Sequence, residues 1–470
     1  MDDDIDTIAF YDDEEEMCEN GCNNEGYTDD NDFEYDYDLY SDGGSETIPR
    51  LIHYCLKPTL YDAASYMVPL LVASLAFKIF AQSQFTPCRI FHGISAITGL
   101  YVVQHYVPEC LHLIIILIAA TYISLYIPEK YYKGIKAFLP SILVIFYCEL
   151  WMKPAEWHKV RSVIMVAAMK AVSVAMDNIY IEKRPNLWEY SGYMLCASTC
   201  LFGPWISFKD YVALYHRNHW TAWWALATIG NLLISFVFLS ISNCWTQWML
   251  SANAGKWLVA YRDALAFRAS HYFISYTASG ILLLGGHPVS LTTITKPFQI
   301  ELPHSLVQVV VCWNIPMHFW LKTYIFRPSV MHLGKFGAVI VTYLTSSLLH
   351  GLNFQLAAVL LSLGFYTYVE FQLRSILANT FDACIASKRC SDRKCSHART
   401  VSNCWWVTVT NLGFSALSVF HLAYLGLAFD TSELQETGYS YAHTMDKWSQ
   451  LGFASHWVAL ATYCAYFLIR

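Results

Sequence analysis

From Phe336 to Glu370 the chain runs FGAVIVTYLTSSLLHGLNFQLAAVLLSLGFYTYVE, with no Lys, Arg or Asp and with its one Glu at the far end. About 20 apolar residues cross a bilayer as a helix, so a run this long belongs in hydrocarbon or inside a helical bundle. Both settings deny water to the backbone. Its N–H and C=O groups must then pair within the segment, which selects helix over open sheet. His350 stands near the middle of the run. An ionisable side chain is expensive there and is kept where it faces protein or trapped water, so it marks a candidate functional site.

The rest of the chain has the same character. Of 470 residues, 55% are hydrophobic and only 14% charged, against about a quarter charged in soluble domains. The apolar residues come in blocks, and the mean hydropathy is +0.33. The expected fold class is therefore all-α: a polytopic membrane protein of about ten to eleven transmembrane helices with re-entrant and interfacial helices. Segments such as 111–127, 222–241 and 411–429 read as plain spans. YMLCASTCLFGPWISF (193–208) is short and interrupted by Gly203-Pro204, which suits a re-entrant segment buried in protein. Ser242 to Arg268 mixes Trp, Lys and Arg and is expected to form an amphipathic interfacial helix.

The net charge of −7 hides a division. Residues 1–49 hold 19 of the 37 acidic residues and none of the 30 Lys and Arg, so the remainder carries 18 acidic against 30 basic residues. Residues 1–49 thus read as an acidic, disordered tail, and residues 50–470 as one membrane domain. With no basic n-region or early apolar core at the start, the first span is expected to serve as targeting signal. The most basic loop, Arg374 to Cys404, holds Lys388, Arg389, Arg393, Lys394 and Arg399, and the positive-inside rule puts it in the cytosol. Fifteen cysteines are scattered through the chain, most of them in apolar spans as small hydrophobes, and the count implies no disulfide framework. Cys384, Cys390, Cys395, His397 and Cys404 cluster in the basic loop. Their spacing is irregular, and no metal site is expected from it. Free thiols, a disulfide and lipidation stay open.

Chemistry is read from two polar residues. A neutral imidazole at His350 can take a proton from a hydroxyl and return it to a leaving group. Gly351 beside it permits close approach of substrate or backbone. Asn314, in VQVVVCWNIPMHFWLKTYIF, cannot act as a base, yet its amide can hold a nucleophile or a developing oxyanion. Pro316 is expected to break the helix just after it. Lys170 interrupts another apolar face, with Asp177 and Asp210 as expected partners. G-x-S-x-G, P-loop, dinucleotide and H-E-x-x-H signatures are absent. Nucleic acid is not an expected partner. A proton-relay transporter built on His350 would need further mid-span charges and repeat symmetry, and a membrane chaperone would need no imidazole at all.

The blocks KPFQIELPHSLVQVVVCWNIPM (296–317), SSLLHG (346–351), FGPWISF (202–208), SKRCSDRKCSH (387–397) and FHLAYLG (420–426) resemble the membrane-bound O-acyltransferase family. The likeness runs from about Leu51 to Arg470. It implies catalytic roles for His350 and Asn314, with Trp313, Trp320, Tyr324 and Leu349 as expected tunnel wall. It also implies a fatty acyl-CoA as co-substrate (palmitoleoyl-CoA), no separate cofactor, and a serine of a secreted Wnt protein as acceptor. The location implied is the endoplasmic reticulum membrane, multi-pass, among membrane lipids. Transfer to a lysophospholipid or sterol is the alternative within the family. CoA-contacting residues are not assigned, with Arg262 and Lys296 as the candidates.

Overall fold

The structure, a computed structural model, describes residues 47–83, 85–127, 135–177, 184–216, 220–250, 254–351, 353–390, 395, 397–429 and 440–470. The acidic tail, Arg393 and Lys394 lie outside the described residues. Among those described the fold is helical, and one isolated bridge, Ala383 to Arg399, is the extent of β pairing.

The chain opens with α1 (Ile48–Ala81), 34 residues long, followed by α2 (Cys88–Tyr106) and α3 (Leu111–Ser124). Pro108 separates α2 from α3, and the two are bent by 118° across it, as expected where a proline removes a donor and clashes with the preceding turn. Next come α4 (Ile135–Trp151), α5 (Pro154–Asp177) and the short α6 (Leu187–Met194). After α6 the backbone breaks at Leu195–Cys196 and runs through a cis Gly203-Pro204 bond. This is the segment expected to be re-entrant, and its residues from Tyr193 to Ile206 are almost all buried. Its broken backbone is sheltered by protein, which is the condition for irregular structure at membrane depth.

α7 (Ala222–Met249) and α8 (Lys256–Leu284) pack along each other. On α7, Trp223, Leu226, Ile229, Leu233 and Val237 are exposed. Their spacing of three to four residues makes one outward stripe, the mark of a helix that faces lipid. The stretch from Ser242 to Arg268 is not a separate interfacial helix: it is divided between the end of α7 and the first half of α8. Polar residues there are used inward, as Ser242 Oγ donates to the Ala266 carbonyl at 2.9 Å. A disulfide joins Cys55 in α1 to Cys244 in α7, one long-range tie where no framework was expected.

Later in the chain come α9 (Leu306–Trp313) and α10 (Ile315–Trp320), which runs on through the π-helical Leu321–Phe326 into α11 (Arg327–Leu349). After these come α12 (Phe354–Thr380), α13 (Trp405–Gly426), α14 (Tyr441–Gln450) and α15 (Ala454–Ile469), besides shorter helices such as Pro297–Glu301. Among the described residues, four helices are long and apolar enough to span a membrane, or up to six if each bent pair counts as one span. That is fewer than the ten to eleven expected. α4 has only 17 residues, and α8 is diluted by Arg262, Asp263, Arg268 and His271 among its apolar residues. One apolar core gathers α1 to α6 with Trp320, Tyr324 and Leu349. A second unites α12 to α15 with Ala260 of α8 and Leu306 of α9.

Polar ties hold this interior, because between inserted helices close packing and hydrogen bonds replace the hydrophobic drive. Lys170 is fully buried and donates to the carbonyls of Tyr193 (3.0 Å) and Met194 (3.2 Å) and to Thr199 Oγ1 (2.8 Å). Its partners are the freed backbone groups of the broken segment rather than Asp177 or Asp210. Asp177 instead accepts from the Tyr324 hydroxyl at 2.8 Å. Arg268 meets Glu301 in a two-bonded pair at 2.7 and 2.9 Å, and Tyr272 donates to the same carboxylate.

Candidate active site

Two helix breaks carry the candidate residues. The first is the α9–α10 junction. Ser305 caps the start of α9, its Oγ accepting from the Gln308 N–H at 3.2 Å while donating to the Ser387 carbonyl at 2.8 Å. Glu370, the acid that closes the long apolar run, accepts from the Leu306 N–H at 2.9 Å. A carboxylate is favoured at this end because the unpaired amides of a helix start carry partial positive charge. The clamp goes on to Arg374, which donates to Glu370 Oε1 at 3.1 Å, to the carbonyls of His304, Ile385 and Ala386, and to Asn411 Oδ1.

α9 ends at Asn314, which is extended (φ −143°, ψ 91°) and serves at once as the last cap of α9 and the first of α10. Its Oδ1 accepts from the Met317 N–H at 3.0 Å, the ordinary bond of an N-cap asparagine. Pro316 occupies the first turn of α10, where a missing N–H is harmless. The break therefore falls at the amide itself. A short strap fixes it from the side. Ile315 N donates to the Ile294 carbonyl at 2.8 Å, while the Cys312 carbonyl accepts from Lys296 N and Thr295 Oγ1, each at 3.1 Å. With Oδ1 committed to the cap, the group Asn314 has left to offer is its NH2.

The second break is the α11–α12 junction. His350 closes α11 (φ −87°, ψ 4°), its N–H donating to the Ser347 carbonyl at 3.0 Å, and Gly351 follows with φ +89°. A Cβ on Gly351 would lie 2.4 Å from Glu149 Oε2 and 3.1 Å from Trp157 Nε1. The close approach that the glycine allows is thus to α4 and α5. Trp157 Nε1 donates to Glu149 Oε2 at 2.7 Å across that contact.

α8 links the two breaks. His271 Nε2 lies 2.8 Å from the Trp313 carbonyl. A carbonyl only accepts, so Nε2 carries the proton. The ring also stacks on Trp313 at 4.2 Å between centroids and 6° between planes. His271 and Arg161 are both close enough to His350 to act on it electrostatically. The His271 imidazole therefore lies beside the Trp313–Asn314 backbone.

Of the six residues picked from the sequence, Asn314 and Trp313 sit at the first break and His350 at the second. Trp320, Tyr324 and Leu349 are packed as core. Trp320 is fully buried and donates to the Met169 carbonyl at 3.0 Å, and Tyr324 is held by Asp177 and the Trp205 ring. Leu349 lies in the same apolar cluster. Arg262, one of two CoA candidates, is taken up by Asp263 (2.8 Å) and the Leu250 carbonyl (3.1 Å). Lys296, the other, is exposed beside the strap. His271, Arg161, Glu149 and Trp157 were missed. The criterion that found His350, an ionisable group inside an apolar stretch, does not single them out, because Arg161 follows His158 and Lys159 and His271 follows Arg262, Asp263 and Arg268.

The basic loop behind the clamp holds a second cluster. Cys384, Cys390, Cys395 and His397, scattered by spacing, have their ligating atoms within 4.8 Å of one another.

A model of the membrane-bound O-acyltransferase family matches residues 141–385, a span that contains both helix breaks. The chain is 33% identical over 458 residues to the protein-serine O-palmitoleoyltransferase porcupine of Homo sapiens, covering 90% of this chain and 98% of that protein. The protein of the same name from Anopheles gambiae is 32% identical over 473 residues, covering 90% and 94%. The one from Drosophila melanogaster is 34% identical over 351 residues, covering 68% and 66%.

Proposed function

This chain belongs to the membrane-bound O-acyltransferase family, and from that premise we propose that it is a protein-serine O-acyltransferase. Its donor is palmitoleoyl-CoA, and its acceptor is a serine hydroxyl of a secreted Wnt protein at the endoplasmic reticulum membrane. The names of its relatives support the acyl group and the serine. The Wnt acceptor and the compartment extend the likeness already read in the sequence.

His350 takes the proton of the serine hydroxyl as the oxygen attacks the thioester carbonyl carbon. The C–S bond breaks, and the imidazolium returns its proton to the departing CoA thiolate, so no acyl-enzyme and no catalytic cysteine are needed. Asn314 donates through Nδ2 to the carbonyl oxygen as it gains negative charge. His271 acts as a positioning residue, holding the Trp313 carbonyl so that Asn314 keeps its extended conformation. Separate metal or organic cofactors have no step in this scheme.

One observation carries the reading: the amide oxygen of Asn314 is already used to cap α10, which leaves a donor, the group an oxyanion requires. The test is transfer of labelled palmitoleoyl from its CoA thioester to a Wnt-derived serine peptide in purified membranes. His350→Ala should lower the rate by about 10²–10⁴-fold with unchanged membrane insertion. Turnover equal to the parent, or labelling of lysophospholipid in place of peptide, would refute the proposal.

A further inference from the structure

We propose that Cys384, Cys390, Cys395 and His397 form a structural zinc site that locks the basic loop onto the start of α9. All four ligating atoms lie within 4.8 Å of one another. His397 Nδ1 lies 3.5 Å from Cys390 Sγ and 3.5 Å from Cys395 Sγ. For a tetrahedron with Zn–S near 2.3 Å and Zn–N near 2.0–2.1 Å, the nitrogen-to-sulfur edge is about 3.6 Å. The observed edges match it to about 0.1 Å.

Disulfide pairing explains this arrangement poorly. The three thiols are free, Cys404 of the same loop is not part of the group, and a disulfide gives no role to an imidazole nitrogen aimed at two sulfurs. Three thiolates and a neutral imidazole are a soft donor set, which among common cellular ions suits zinc. Each thiol gives up its proton to solvent on binding. The ion and three thiolates then sum to one negative charge, in a loop whose sequence also carries Lys388, Arg389 and Arg399. Four protein ligands leave no open position, so the site is structural and not catalytic.

The loop is built to present these ligands. Cys384 N donates to the Arg399 carbonyl at 2.8 Å, and Arg399 N donates to the Asp382 carbonyl at 3.0 Å. Asn411 Nδ2 holds the Cys384 carbonyl at 3.0 Å. Both ends of the ligand set are therefore fixed by contacts that do not use the ligands' own side chains. The three residues after Cys384 are the ones that meet the α9 clamp: Ile385 and Ala386 accept from Arg374, and Ser387 accepts from the Ser305 cap. A metal at this point closes the loop behind the helix that ends at Asn314.

The experiment uses the full-length protein purified in detergent without chelator and measures metal by mass spectrometry. About one zinc per chain is expected, falling to background in Cys390→Ser/Cys395→Ser and in His397→Ala, and unchanged in Cys404→Ser. Because the loop variants can fail to fold, the parent protein is also stripped with chelator and titrated with cobalt. Thiolate-to-cobalt charge-transfer absorption with the visible bands of a tetrahedral ion is expected, and zinc should displace both. The proposal is overturned by a parent protein that takes up neither metal after reconstitution, by a different metal at full occupancy, by zinc retained in the double variant, or by a disulfide among Cys384, Cys390 and Cys395 in peptide mapping.

Discussion

Replacing Glu370 tests how the candidate site is supported. Its carboxylate accepts from the Leu306 N–H at 2.9 Å and from Arg374 Nη1 at 3.1 Å, with side-chain exposures of 4% for Glu370 and 0% for Arg374. Glu370→Ala leaves a buried guanidinium without its counter-charge, a change that costs about 3–5 kcal/mol. Glu370→Gln keeps one acceptor oxygen, whereas Leu306 N and Arg374 Nη1 bond to different oxygens of the carboxylate, so one donor is left facing the amide NH2. A charge-assisted bond contributes about 1.5–3 kcal/mol and a neutral one about 0.5–1.5, so one bond lost and one weakened give a loss of about 2.5–4.5 kcal/mol. The expected stability order is parent, Gln, Ala. Adding Arg374→Met to Glu370→Ala should cost less than the sum of the two single changes, because the double variant no longer buries an unpaired cation. The assay is unfolding by SDS in mixed micelles, followed by tryptophan fluorescence, with acyl transfer measured well below the transition. Activity should fall as well, since α9 carries any shift at Leu306 through about 12 Å to Trp313. A Glu370→Ala protein within about 0.5 kcal/mol of the parent, or strictly additive single and double variants, would refute the clamp.

Three further outcomes are expected. Asn314→Asp keeps an oxygen to cap Met317 but has no N–H to donate, so acyl transfer should drop by about 10²–10³-fold while thermal stability stays near the parent; unchanged kcat would remove Asn314 from catalysis. Lys170→Met keeps most of the side-chain volume yet leaves the Tyr193 and Met194 carbonyls without their donor, lowering stability by about 1–3 kcal/mol, as read from the midpoint of the SDS titration. Cys55→Ser opens a tie across a sequence separation of 189 residues; chain entropy sets its contribution at up to about 5 kcal/mol, and a midpoint unchanged by reductant in the parent would show that the tie adds nothing.

Much of this protein follows from local physics. A long run without charges must be helical wherever water is absent, and the helices appear where the apolar blocks are: the expected spans 111–127 and 222–241 begin where α3 and α7 begin, and 411–429 falls largely in α13. The breaks were legible too. Pro316 after Asn314 and Gly351 after His350 point to breaks, because one lacks an N–H and the other tolerates φ of +89°, although Pro69 and Pro140 lie inside continuous helices. The membrane class and both candidate catalytic residues came from such local signals. Span counting was less secure, since α8 hides a buried helix behind charges that pair only in the folded protein.

Everything that joins distant residues was decided by tertiary structure. Asn314 reads equally well as acceptor or donor until Met317 claims its oxygen, and His271 has no assignment until α8 lays it against Trp313. Glu370 is one more polar residue at the end of an apolar run until the start of α9 arrives above it. The cysteine spacing in the basic loop looks irregular because the Ala383–Arg399 bridge, and not the interval along the chain, brings the sulfurs together. A sequence records what each residue prefers, and those preferences are local. Which partner satisfies a buried donor or charge depends on contacts between segments far apart in the chain, and these exist once the helices have packed.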